Sequence, residues 1–173
     1  MLSPTVAPKP DLTTPTKVPA PDADADADAV QALVRTVTKA MTTDNIDDMV
    51  NCFAADSEWT IMATGESFKG HDQIRQLAAR SVAARKHEGR LGIKPFNIFT
   101  NPEGTKLCWE YLHTGVVTDK WPATSAQRPA PGTTFELPIM LSCEIRQGKL
   151  ITIREYFDLL TLTDPATKHK LYS

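Results

Sequence analysis

From residue 30 onward the apolar positions fall into two successive rhythms. Val30, Leu33, Val34, Val37 and Met41 recur at i, i+3, i+4, i+7 and i+11, which is one face of an amphipathic helix. Asp28 stands where it can cap that helix. Ile46, Met49, Val50 and Phe53 share one side of a second, short helix that Asp44 can cap. Ser57–Ala63, with Trp59 and Ile61, predicts a strand, and Gly65–Gly70 a turn with a short strand. A third helix is predicted from about His71 to Lys86, with Ile74, Leu77, Ala78 and Val82 inward. After it the period drops to two, and four strands are predicted at about 91–100, 105–117, 134–146 and 149–158. Helices first and antiparallel strands afterwards make an α+β protein. No internal repeat is visible.

The last two strands carry a register argument. Phe135, Leu137, Ile139, Leu141, Cys143 and Ile145 alternate with more polar residues, and so do Ile151, Ile153 and Phe157. A two-residue Gln147-Gly148 loop would set Leu141 opposite Arg154 and Cys143 opposite Thr152, with the apolar sets on opposite faces. A three-residue loop, with Gly148 left-handed at a bulge, sets Ile145 opposite Ile151, Cys143 opposite Ile153 and Leu141 opposite Glu155. Burial of one face selects the second register. Glu155 then lies on the apolar face between Ile153 and Phe157. Burial disfavours its ionised form and should raise its pKa. Such a carboxyl suits general acid or base work, although one held by a backbone donor or a buried arginine would fit the same pattern.

The strand before this hairpin offers Leu107, Trp109, Tyr111 and His113 on one face. Its aromatic area marks that face as the inner one. Tyr111 and His113 could hydrogen-bond a substrate oxygen, and Trp109 could pack on a ring. Core packing is the simpler reading of Trp109 and Tyr111. His71 and His87 read as surface residues, and His169 falls near the C-terminus. The connection Thr118–Thr133 is longer than an ordinary hairpin loop and holds Pro122, Pro129, Pro131 and Gly132. It reads either as a lid, with Trp121 over a pocket mouth, or as a surface excursion.

Composition narrows the function class. The 173 residues are 41% hydrophobic and 23% charged, with a formal net charge of −2. That is an ordinary globular balance, without the basic excess of a nucleic-acid binder. No apolar run reaches the length of a membrane span. Cys52, Cys108 and Cys143 are odd in number and lack C-x-x-C spacing. This argues against a disulfide framework or zinc knuckle and for reduced thiols in a cytoplasmic protein. No secretory signal is visible. Residues 1–28 hold six of the thirteen prolines and end in an Asp-Ala alternation, which predicts a disordered tail. The domain is then 29–165, with a C-terminal tail at 166–173.

The order of elements, with Phe53-Ala-Ala-Asp56 after the short helix and Phe68-Lys-Gly70 before the long one, resembles the nuclear transport factor 2-like superfamily. Within it, the run from Phe135 through Gly148-Lys149 to Arg154-Glu155-Tyr156-Phe157-Asp158 resembles the SnoaL-like polyketide cyclases, as does His113-Thr114-Gly115 before a proline-rich loop. The resemblance implies a cystatin-like α+β barrel, a cone in which a curved antiparallel sheet wraps three N-terminal helices around an apolar pocket. It implies an acid/base carboxylate at the position of Glu155, where the cyclases usually have Asp. Those cyclases carry a His where this chain has Leu141. The Arg-x-Asp of epoxide-hydrolase relatives is missing from the 105–117 strand, which disfavours that reaction.

The leading expectation is a cofactor-free isomerase, cyclase or dehydratase acting on a hydrophobic polyketide-like or cyclic metabolite. Glu155 would move a proton beside a carbonyl, and Tyr111 or His113 would stabilise the enolate oxygen. Trp59, Trp109, Trp121, Ile139, Leu141 and Phe157 would shape the pocket. No metal-ligand spacing or phosphate loop implies a cofactor or metal. The competing expectation is a non-catalytic binding or assembly module of the same fold. The resemblance further implies a homodimer through the outer sheet face, with Glu110, Met140, Ser142, Arg154 and Tyr156 outward.

Overall fold

The computed structural model describes residues 27–86, 92–121 and 129–158. Helix α1 spans Ala27–Thr42, α2 Ile46–Val50 and α3 Gly70–Ala84. The strands are β1 (Phe53–Ile61), β2 (Glu66–Lys69), β3 (Arg85–Lys86), β4 (Ile93–Thr100), β5 (Lys106–Val117), β6 (Thr134–Arg146) and β7 (Lys149–Tyr156). They form one curved, unclosed seven-stranded sheet in the order β2-β1-β7-β6-β5-β3, with β4 also paired to β5. Only the β1–β7 pair is parallel. Irregularities in β1, β4 and the β6–β7 ladder add the local bends that let such a sheet curl. Residues 1–26 and 159–173 lie outside the described residues, and with them nearly all of the expected N-terminal tail 1–28 and the whole expected C-terminal tail 166–173, as do residues 122–128 of the proline-rich connection. Residues 27 and 28 belong to α1, not to the tail. No described helix is long and apolar enough to cross a membrane.

The helices bury the stripes their spacing predicts. Val30, Val34, Val37 and Met41 of α1 join Ile74, Leu77 and Ala78 of α3 in the core against the inner sheet face. That face is Leu107, Trp109 and Tyr111 from β5, Leu137, Ile139, Leu141, Cys143 and Ile145 from β6, and Leu150 and Ile153 from β7, all buried.

Several local expectations are corrected. Asp28 lies inside the first turn of α1 and does not precede it. Asn45, not Asp44, caps α2: its Oδ1 accepts from the Asp48 amide at 3.1 Å. Asp44 instead takes a left-handed backbone, φ 54°, which Asp tolerates better than most residues. Phe53 opens β1 and is not part of α2. Helix α3 stops at Ala84, because Arg85 turns extended (φ −138°, ψ 163°) and pairs with Val117.

The hairpin reaches the expected register by another route. Gln147 and Gly148 both have positive φ, 51° and 68°, and Arg146 pairs with Lys149. This is a two-residue turn of the mirror-image type that suits strand twist. The bulge lies inside the ladder: Ile145 faces Leu150 while Glu144 faces Thr152, so Ile151 is the extra residue. The extra residue lets Leu150 and Ile153 both face the core. Beyond it Cys143 pairs with Ile153 and Leu141 with Glu155.

Candidate active site

Glu155 stands near the end of β7, between Leu141 of β6 and Ile61 of β1. The alternation that buries Ile153 turns its side chain to the same inner face. Its Oε2 accepts a hydrogen bond from Trp59 Nε1 at 2.9 Å. Trp59 is placed by the parallel β1–β7 register, opposite Ile153, and its ring stacks on Phe53 at 5.6 Å. Burial pushes the Glu155 carboxyl up to about 7, and the Trp59 hydrogen bond and the Arg85 charge restrain the rise.

Glu155, Trp59, Tyr111 and His113 line one small cavity of about 50 Å³. Met41, Met49, Leu77 and Ala78 are among the apolar side chains from the helices that line it, and Asp44, Ser81 and Arg85 are among the polar ones. The volume suits a few water molecules. Tyr111 is 1% exposed, and its hydroxyl has no hydrogen-bond partner among the described residues. Burial first, and the Glu155 charge second, hold the Tyr111 phenol protonated well above its usual range. The His113 ring packs edge-on against Phe135 at 5.4 Å.

Arg85 is 6% exposed at the end of α3. Its Nη1 donates to Ser81 Oγ at 2.7 Å, and its Nη2 reaches Met41 O at 3.5 Å and Asp44 Oδ1 at 3.3 Å. Burial lowers its pKa, opposed by Asp44, Tyr111 and Glu155. No described group of three or more His, Cys, Asp or Glu side chains is placed to hold a metal ion.

The SnoaL-like domain family matches residues 33–153, which run from within α1 into β7 and end two residues before Glu155. The chain belongs to the SnoaL-like domain family. A search of curated proteins found no match to its sequence. Among solved structures, this SnoaL-like domain is similar to a candidate polyketide cyclase from Xanthomonas campestris pv. campestris. That match has 21% identity and a TM-score of 0.64, covering 79% of this chain and 95% of the other. A Catenulispora acidiphila protein of ketosteroid isomerase-like fold, in complex with trimethylamine, matches at 19% and 0.60, covering 75% and 88%. An epoxide hydrolase from M. tuberculosis matches at 13% and 0.58, covering 78% and 86%. At these identities the likeness is one of fold.

Within the SnoaL-like frame the nine anticipated residues divide. Glu155, Tyr111, His113 and Trp59 converge on the cavity. Trp109, Ile139 and Leu141 do not line it; they are 1%, 5% and 2% exposed in the core. The Trp109 ring lies 4.8 Å from that of Tyr111 and backs it from behind. Trp121 and Phe157 are half-buried against the core and also lie outside the lining. Trp121 packs on Phe135 at 5.3 Å, so it touches the site through two rings. His71, expected at the surface, is half-buried and bonds Phe53 O at 2.9 Å. His87 and His169 are outside the described residues.

Arg85, Ser81 and Asp44 escaped the sequence reading. The signal was present for two of them: Ile74, Leu77, Ala78, Ser81 and Arg85 follow one helical stripe, and a charge on an apolar stripe marks a buried polar site. Asp44 gave none, because its role depends on an unusual backbone conformation.

Proposed function

We propose that this SnoaL-like domain is a cofactor-free isomerase, cyclase or dehydratase that moves a proton beside a carbonyl in a hydrophobic cyclic or polyketide-like compound. One observation carries the reading: Glu155 lines a cavity with Trp59 as the one hydrogen-bond partner of its carboxylate among the described residues, and burial brings its pKa to about 7. At that value both protonation states are populated near neutrality, so one group can take a proton and return it. Glu155 removes the proton α to the carbonyl. Negative charge develops on the carbonyl oxygen and is met by the Tyr111 hydroxyl, whose buried donor has no other acceptor among the described residues. Protonated Glu155 then returns its proton: to another carbon of the enolate, to a β-hydroxyl that leaves as water as the double bond forms, or to the oxygen of a second carbonyl that the enolate carbon attacks. Trp59 fixes the carboxylate by holding one oxygen. A single well-placed oxyanion donor is worth about 10²–10³ in rate.

The test is exchange of α-hydrogens for deuterium, followed by NMR in D₂O across a panel of cyclic ketones and 1,3-diketones. Glu155→Gln is expected to keep the fold and ketone binding while slowing exchange by about 10²–10⁴. A destabilised variant whose exchange falls only with its folded fraction would remove the catalytic role.

The cavity size favours a second reading, a binding or assembly module. At about 50 Å³ it is well below the roughly 300–1,000 Å³ of ordinary ligand sites. A ring-sized substrate has to displace side chains. Met41 and Met49 on the helical wall are the groups best able to repack, since an unbranched thioether side chain adapts easily. Absence of exchange for every ketone that binds would favour the module.

A further inference from the structure

We propose that Phe53 is a positioning residue of this site: from outside the cavity lining it sets the Trp59 indole, so that one Glu155 oxygen is pinned and the other is left for a ligand. The inference rests on Glu155 being the working group of the cavity, but its test reads the carboxyl itself and not turnover.

Phe53 and Trp59 stand six residues apart in β1. In an unbroken strand that separation spans about 20 Å, too far for the two rings to touch. Their centroids nevertheless lie 5.6 Å apart, stacked with planes 27° from parallel. An excursion in β1 makes the difference. From Phe53 to Glu58 this strand advances five residues while β7 advances two, from Leu150 to Thr152. Ala54–Ser57 therefore have no partner in the β7 register, and the Phe53 ring comes back beside Trp59. The Trp59 backbone is held on both sides, by Phe68 of β2 and Ile153 of β7. Pairing of that kind leaves the indole free to turn about its side-chain bonds. The Phe53 ring closes one side of that freedom, and the 2.9 Å bond from Nε1 to Glu155 Oε2 depends on where the indole stops.

The start of α3 holds the excursion in place. His71 Nε2 donates to Phe53 O at 2.9 Å, which satisfies a carbonyl of the irregular stretch. Gly70 has a φ of 70°, and a Cβ there would stand 3.2 Å from Ala55 O, so a glycine lets the excursion lie against the helix. The excursion also carries Ser57, 0% exposed, whose Oγ has no hydrogen-bond partner among the described residues. Unpaired strand residues and an orphan hydroxyl are costs that a regular core strand avoids. The stack on Trp59 is what they obtain, and bulges beside a site commonly serve to re-aim a side chain.

The indole N–H favours the ionised carboxyl to which it donates. A Trp59 ring free to turn stabilises that form less, so loosening the Phe53 contact raises the Glu155 midpoint above its native value of about 7. The other groups that face Glu155 are Asp44 from the turn before α2, Arg85 of β3, Tyr111 and His113 of β5, and the Cys143 thiol of β6. Tyr111 and Cys143 stay neutral, the latter pushed up to about 12. A change at position 53 leaves all of these groups in the chain.

The experiment is an NMR titration of the full chain, with ¹³C at the glutamate side-chain carboxyls and ¹⁵N at the tryptophan indoles. Glu155→Gln and Trp59→Phe identify the two signals. In wild type the Trp59 indole proton is expected to shift with the same midpoint as the Glu155 carboxyl. Phe53→Leu should raise that midpoint by about half a unit or more and shrink the indole shift. Phe53→Met, which fills similar volume without a flat ring, should do the same and decides where Phe53→Leu does not fold. Phe53→Tyr keeps the ring and should stay near wild type. If Phe53 only fills the core, these variants lose stability and leave the midpoint where it was. An indole that does not follow Glu155 in wild type overturns the proposal whether or not any variant folds. A midpoint unmoved in a folded Leu or Met variant overturns it as well. A raised midpoint with no α-hydrogen exchange in any ketone supports the positioning role and removes the catalytic reading. Glu155-dependent exchange with an unmoved midpoint overturns the positioning role and leaves catalysis standing.

Discussion

At the scale of single residues, burial and charge conflict at Glu155, and the conflict has a signed consequence for stability. The native carboxyl titrates at about 7 against an ordinary 4.5. Between those values the folded chain binds more protons than the unfolded chain, so stability contributed by this group falls as pH rises. It is fully present below about 4.5 and lost above about 7. At roughly 1.4 kcal/mol per pKa unit the loss is at most about 3.5 kcal/mol. Asp56, Glu58 and Glu66 have lowered values and act in the opposite direction, so the difference between two proteins is the useful quantity. Urea titrations at pH 4.5 and 8 should show Glu155→Gln gaining on wild type as pH rises. A constant difference would mean that Glu155 does not titrate in this window. Trp59 gives a companion prediction. Its hydrogen bond lowers the Glu155 pKa, so Trp59→Phe should move the ascending limb of the exchange rate to higher pH. Glu155 was legible because strand alternation fixes its face once the register is known. Its partner Trp59 was visible only as a pocket candidate, because the bond depends on the parallel pairing of β1 with β7, 96 residues apart in sequence.

At the scale of elements, the β6–β7 hairpin shows how a local rule and a tertiary demand are reconciled. Twist favours a two-residue turn with both residues left-handed, and burial favours Leu141 opposite Glu155. A single unbroken ladder cannot satisfy both. The bulge at Ile151 resolves them, and nothing in the local sequence distinguishes that solution from a longer loop. Helix α3 shows the same limit. Arg85 and Lys86 are good helix formers, and what ends the helix is pairing with Val116 and Val117 far along the chain. The apolar stripes of α1 and α3, by contrast, were legible because helical burial follows the local period. The turn also leaves a measurable strain. Gln147 holds a φ of 51°, which is unfavourable for a side chain of that kind by about 1 kcal/mol. Gln147→Asn gives the Asn-Gly pair this turn prefers and should raise stability by about 0.5–1 kcal/mol. A higher urea midpoint with unchanged slope would show it. No gain would mean that the turn is not left-handed at this position.

At the scale of the molecule, the outer sheet face is the surface left over once the helices fill the inner one. The register lays its residues in rows: Asn97, Glu110, Met140 and Tyr156; Phe99, Cys108, Ser142 and Arg154; Lys106, Glu144, Thr152 and Glu58. Phe99 and Tyr156 are 57% and 37% exposed, which leaves apolar area beside both signs of charge. We propose that a second copy of the chain covers this face. The face carries Lys106 and Arg154 beside Glu58, Glu110 and Glu144, so it holds both signs of charge that a self-complementary contact requires. The cavity opens on the inner side of the sheet, so pairing here leaves the site accessible. Stable pairs of this kind bury about 1,200–2,000 Å² in total. Sedimentation from micromolar to millimolar concentration should show a monomer–dimer equilibrium. Arg154→Glu, which places like charges against each other, should weaken it at least about tenfold through repulsion across the contact. Because Arg154 is exposed, the melting temperature of the dilute protein should stay within a few degrees. A chain that remains monomeric throughout, or a dimer indifferent to Arg154→Glu, would mean that this face is not the contact.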